Sequence, residues 1–184
     1  MREAVIVSTA RTPIGKAYRG AFNDTSAQEL AGHAIEKAVE RAGIEPNEIS
    51  DVIMGAALQQ GSSGGNIARQ AAIRAGLPVT VPGMSIDRQC ASGMMAIATT
   101  AAKQIINDGM DVTVGGGVES ISLVQNDKMN GYRAYDPWFK DHQPDMYMTM
   151  IETAETVASR YNVSREYQDE YSLQSQQRTA SGQQ

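Results

Sequence analysis

The chain has 184 residues, 41% of them hydrophobic and 20% charged, and a formal net charge of -5. That length suffices for one domain of about 100 to 200 residues with an enclosed core, and the composition excludes a disordered chain or a membrane-embedded one. The acidic balance and the want of any basic cluster argue against a nucleic-acid surface, and no stretch reaches the ~18 apolar residues of a membrane span.

Residues 3–9, EAVIVST, are β-prone and nearly continuous in apolar side chains, the pattern of a strand buried on both faces. The run is too short for a signal-peptide core. After a turn-rich stretch, Leu30, Ala31, Ala34, Ile35, Ala38, Val39 and Ala42 fall on one helical face, with Ser26 placed to cap the start and Gly43 to end it. DVIMGAAL, from Asp51, gives a second strand, followed by the loop GSSGG and a helix through NIARQAAIR closed by Gly76. A third strand over residues 81–88 runs into a long helix, ASGMMAIATTAAKQIINDG, and DVTVGGGVES gives a fourth strand. Four alternations of strand and helix predict an α/β domain whose sheet is covered on both sides. From about Leu123 the chain turns polar and aromatic, without a strand period. Two helices are expected after it: Ile151, Ala154, Val157, Ala158 and Tyr161 share a face of the first, and Ser164 opens the second. Gln174, Gln176 and Gln177 fit a solvated helix face.

Cys90 is the only cysteine, so neither an internal disulfide nor a cysteine-rich zinc site can form. This points to a reducing compartment, the cytoplasm by default. Cys90 lies in SIDRQCASGMM, where the third strand hands over to a helix. The amides of a helix's first turn lack internal partners and carry the positive end of its dipole, which stabilises a thiolate placed there. Ala91, Ser92 and Gly93 are small and leave room for a substrate, as small residues do around a nucleophile elbow. Set against this, a lone cysteine in a reducing compartment is more often an inert core filler. Gly115, Gly116 and Gly117 end a strand without any GK[ST] or G-x-G-x-x-G spacing, so a tight turn is expected there rather than a phosphate loop.

CASGMMAI resembles the active-site segment of thiolases, where a cysteine precedes a small residue, Ser and Gly at the start of a buried helix. VIVSTARTPIGKAYRGAF resembles the family's amino terminus, GGNIARQAAIRAGLP its segment before the catalytic strand, and VGGGVESIS its GG-x-E-S-M-S stretch. MIETAETVASRYNVSREYQDEYSLQSQQR resembles the helices of its loop domain. The resemblance implies a layered α/β/α fold with a mixed central sheet, here incomplete. Residues 1–122 would hold strands one to four of the amino-terminal domain, residues 123–184 the first part of an inserted loop domain, and the carboxyl-terminal domain would be absent.

The resemblance also implies an acyl-CoA C-acyltransferase that makes or cleaves 3-ketoacyl-CoA through an acyl-cysteine on Cys90. Coenzyme A would be a co-substrate, with no bound cofactor and no metal. The backbone N–H of Cys90 would help hold the oxyanion, Met150 would line the acyl pocket, and the enzyme would be a homodimer or homotetramer. The family's GHP histidine and second cysteine have no counterpart: His33 and His142 stand in no matching motif, so this chain alone is expected to be inactive. MIETAE also departs from the commoner Met-Gly pattern of the loop domain, and no histidine precedes Met150. A ketoacyl synthase, or a non-catalytic thiolase-like subunit that binds acyl-CoA or a partner chain, would share the fold. Arg88 is expected to be paired rather than catalytic, either across a subunit interface or with Asp87, the nearest candidate.

Overall fold

A computed structural model describes residues 2–184, and the chain divides into two compact units, Met1–Asn130 and Gly131–Gln184. The first unit contains α1 (Ala27–Ala42), β1 (Asp51–Gly55), α2 (Ile67–Arg74), β2 (Gly83–Ile86), α3 (Ser92–Thr99), β3 (Thr113–Gly117) and the short α4 (Ile121–Val124). α1 begins where expected, because the Ser26 hydroxyl accepts the Glu29 N–H at 3.2 Å. It ends at Gly43, whose φ of 67° is a conformation that a residue without Cβ adopts freely.

The three strands are parallel in the order β2-β1-β3, with Val52 opposite Gly83 and Val114, and Gly55 opposite Ile86 and Gly117. A right-handed crossover from β1 to β2 and a return from β2 past β1 to β3 require the two connecting helices on opposite faces. The packing agrees. α2 lies on β1 and β2, and α1 on α2. Val52 and Met54 join Ala27, Ile35, Ile67 and Ala71 in one buried cluster. Ile53, fully buried, points to the other face by strand alternation, where α3 covers β1 and β3. Burying Val52 and Ile53 contributes roughly 1.5 to 3 kcal/mol each.

Two expectations are corrected. Residues 3–9 form no strand, and Val5, Ile6 and Val7 are 75%, 74% and 72% exposed. A strand buried on both faces needs a ladder partner and cover above and below, and among the described residues this segment has neither, so the sheet holds three strands rather than four. The helix after Cys90 is not uniform either, since α3 widens into a π-helical stretch over Thr100–Asn107. Within it the buried Gln104 amide donates to Asp51 Oδ2 at 2.7 Å, tying this half of the helix to the start of β1.

The second unit contains α5 (Pro137–His142), a 3₁₀ turn at Pro144–Tyr147, α6 (Met150–Tyr161) and α7 (Arg165–Gly182). Rings of Tyr135, Phe139 and Tyr147 meet edge to face, and His142 stacks on Trp138 at 4.2 Å between centroids. Ser164 caps α7 as expected, and its glutamine face is exposed. Among the described residues no helix is long and apolar enough to cross a membrane.

α6 starts in a capping box: Glu152 N–H donates to the Thr149 hydroxyl at 3.3 Å, while the Glu152 carboxylate accepts the Thr149 N–H at 2.9 Å. The Thr149 hydroxyl also donates to that carboxylate at 2.8 Å, and these two donors hold the carboxyl below its ordinary value of 4.5, the backbone N–H contributing most and the hydroxyl next. A group depressed in this way stabilises the fold above its unfolded pKa and loses that contribution as pH falls through the folded one. Acidifying below 4.5 should therefore lower the melting temperature more in the parent than in Glu152→Gln. Thermal melts followed by circular dichroism test this, and equal losses in both chains would count against the box.

Candidate active site

All three strands end on one side of the sheet, the edge at which parallel α/β sheets place their ligands. Cys90 stands there, in the passage from β2 into α3, with a free and exposed thiol. The passage is a tight elbow. Gln89 has a φ of 50°, in the left-handed region that a residue with a side chain adopts only under constraint. Ala91 N–H donates to Arg88 O and Ser92 N–H to Gln89 O, both at 3.1 Å, closing successive turns around Cys90.

Ser92 braces this elbow. Its side chain is buried, and the hydroxyl accepts the Arg88 N–H at 2.8 Å and donates to Gln89 O at 2.6 Å. Asp87 Oδ1 accepts the Gln89 N–H at 2.7 Å, so the expected partner of Arg88 holds the backbone instead, and Arg88 is exposed. The strained residue is thus bonded on both its N–H and its C=O.

The seat of α3 is built from glycine. A Cβ on Gly55 would stand 2.1 Å from the Ser92 carbonyl carbon, and one on Gly117 would stand 2.8 Å from Gly93 Cα. A Cβ on Gly115 would meet Thr100 Oγ1 at 2.9 Å. The register puts Gly55 beside Gly117 and Ile53 beside Gly115, so these positions share the face on which α3 lies. The glycines of VGGGV therefore belong to a strand that a helix touches backbone to backbone, not to the expected turn.

Beyond the strands the weld continues. Ala56 N–H donates to Ile86 O and Val118 N–H to Gly55 O, both at 3.0 Å. The Glu119 carboxylate then accepts the N–H of Ala57 at 2.8 Å through Oε2 and that of Leu58 at 3.2 Å through Oε1. Reasoning from sequence missed the amide-binding role of Glu119, the positive φ of Gln89 and the bracing role of Ser92. The available signal was an acidic residue two places after a glycine-ended strand.

The remaining predicted residues belong to other elements. Met150, the first residue of α6, is in the second unit and 74% exposed. His142 is also there, with Nδ1 2.9 Å from Trp138 O in addition to its stack on the indole. His33 is exposed on α1. Within the first unit the site thus offers an exposed thiol on a constrained elbow ahead of a helix, with small residues around it, an arrangement with room for an acyl group.

The family model "Thiolase, N-terminal domain" matches residues 4–184. A 3-ketoacyl-CoA thiolase of Bacillus subtilis (strain 168) is 39% identical over 180 residues, 98% of this chain and 45% of that protein. An acetyl-CoA acetyltransferase of Cupriavidus necator is 40% identical over 193 residues, covering 100% of this chain and 48% of its own. The crystal structure of the Bacillus anthracis acetyl-CoA acetyltransferase superposes with a TM-score of 0.77 at 37% identity, over 94% of this chain and 45% of that one. The chain thus spans less than half the length of the relatives just named.

Proposed function

The chain belongs to the thiolase family, and from that premise we propose that Cys90 is the nucleophile of an acyl-CoA C-acyltransferase acting on 3-ketoacyl-CoA. The observation that carries the proposal is the elbow itself: an exposed thiol one residue after the strained Gln89 and two residues before a helix. In the degradative direction the thiolate attacks the 3-keto carbon. The bond between C2 and C3 breaks, its electron pair stays on C2, and a proton delivered there completes acetyl-CoA. The acyl group remains on Sγ as a thioester, which the thiol of coenzyme A attacks to release a shortened acyl-CoA and return the cysteine. Synthesis runs these steps in reverse.

This chain supplies the nucleophile, and its backbone N–H at Cys90 is proposed as one donor to the oxyanion. Proton transfer is assigned to groups outside these residues, since neither a GHP nor a second cysteine occurs among them. Met150 is proposed to line the acyl pocket. We place the enzyme in the cytoplasm, as a homodimer or homotetramer, with coenzyme A as co-substrate and no resident cofactor.

The test is to incubate the full-length chain with radiolabelled acetyl-CoA, trap the adduct in acid and map it. Label on the Cys90 peptide is expected. Label on another residue would overturn the assignment, and binding without any covalent label would leave a non-catalytic acyl-CoA-binding subunit.

A further inference from the structure

The nucleophile's elbow is attached to the sheet through strand ends, and something must keep those ends from splaying. Ile86, the last residue of β2, is bonded to Ala56, and Gly55, the last residue of β1, lies against the Ser92 backbone and is bonded to Val118. Past this point the main-chain ladder stops, and the next two N–H groups of the β1 side, on Ala57 and Leu58, find no strand to bond. Glu119, the residue after Val118, fills that role with one carboxylate oxygen for each. The contact joins residues 62 and 61 positions apart, and the exposed carboxylate gives a separate oxygen to each of two consecutive amides.

From this we infer that Glu119 is a positioning residue for the proposed acyl transfer, clamping the ends of β1 and β3 so that α3 and the Cys90 elbow keep their seat. The inference rests on the reading of Cys90 as nucleophile. Glu119 touches no reacting atom in this scheme and acts through the backbone of residues 55–58. Losing the clamp frees the β1 end to move against Ser92, and a displacement of about 1 Å at a nucleophile can lower a rate on the order of 10²-fold.

A glutamine at this position keeps one acceptor and turns an N–H donor toward the other amide, while alanine removes both bonds. In the full-length enzyme, Glu119→Gln should lower kcat about 10-fold and Glu119→Ala about 10²-fold, with KM for the acyl-CoA within about twofold of the parent. The rate of Cys90 acylation in a single turnover should fall in parallel. Combined with Ser92→Ala, the loss should be smaller than the product of the single losses, because both changes loosen one elbow. Should Glu119→Gln prove insoluble, Glu119→Asp, too short to span both amides, is put through the same assays. Parent-like kcat and acylation rates in a folded variant would overturn the inference, as would a change confined to KM. Mapping the parent's label separates the two claims: a label on Cys90 with unimpaired Glu119 variants refutes only the clamp, and a label elsewhere refutes the nucleophile.

Discussion

Cys90→Ser in the full-length enzyme is expected to fold like the parent and to lose acyl transfer by on the order of 10⁴-fold or more. The two side chains differ by one atom, and Cys90 is exposed, so the substitution removes no buried packing. Chemistry changes far more than structure, because an alkoxide is much harder to generate than a thiolate near neutral pH. The elbow hydrogen bonds run through Asp87, Arg88, Gln89, Ala91 and Ser92, none through the Cys90 side chain, so the turn survives the exchange. The measurements are a thermal melt and the rate of CoA-dependent cleavage of acetoacetyl-CoA. A serine variant turning over within about tenfold of the parent would remove Cys90 from the mechanism.

Gly55→Ala is expected to lower activity as well, less severely and for a mechanical reason. The added methyl would lie 2.1 Å from the Ser92 carbonyl carbon, 2.3 Å from its oxygen and 2.5 Å from Gly93 N. These are backbone atoms, which cannot swing aside as a side-chain tip can. Either β1 or the first turn of α3 must shift by about 1 Å, at an overpacking cost of roughly 1 to 3 kcal/mol. Because Cys90 precedes that turn by two residues, the displacement reaches the proposed nucleophile, and kcat should fall on the order of 10²-fold. Gly116→Ala is the control. It faces the other side of the sheet, where a methyl would come 3.2 Å from the flexible Met54 thioether, and its effect should stay within about 1 kcal/mol. Equal effects at the two glycines would show that the α3 seat has no special role.

Much of the molecule is legible in the chain because its causes are local. The 3.6-residue period of Ala31, Ile35 and Val39, the Ser26 cap and the Gly43 terminus define α1 within one stretch of sequence. Ser164 does the same for α7, and Thr149 with Glu152 for α6. Cys90 could be singled out for the same reason, since a lone cysteine, small neighbours and a strand-to-helix junction all fall within a few residues. The family motifs are likewise contiguous.

What only the tertiary structure decided depends on residues far apart in sequence. The apolar run at residues 3–9 has the local signature of a strand, yet pairing is a property of two segments, and among the described residues no strand pairs with it. The glycines of β3 read as a turn until the register places Gly117 beside Gly55 and both beneath α3. Gln89 has no residue-type preference for positive φ; Asp87 and Ser92 hold it there, and the helix that Ser92 begins sits on strands from elsewhere in the chain. Glu119 shows its use only when parallel pairing brings the end of β3 to the end of β1. Periodicity and capping act over a turn or two and can be read along the chain, whereas register, close approach and backbone clamps exist only after distant segments have met.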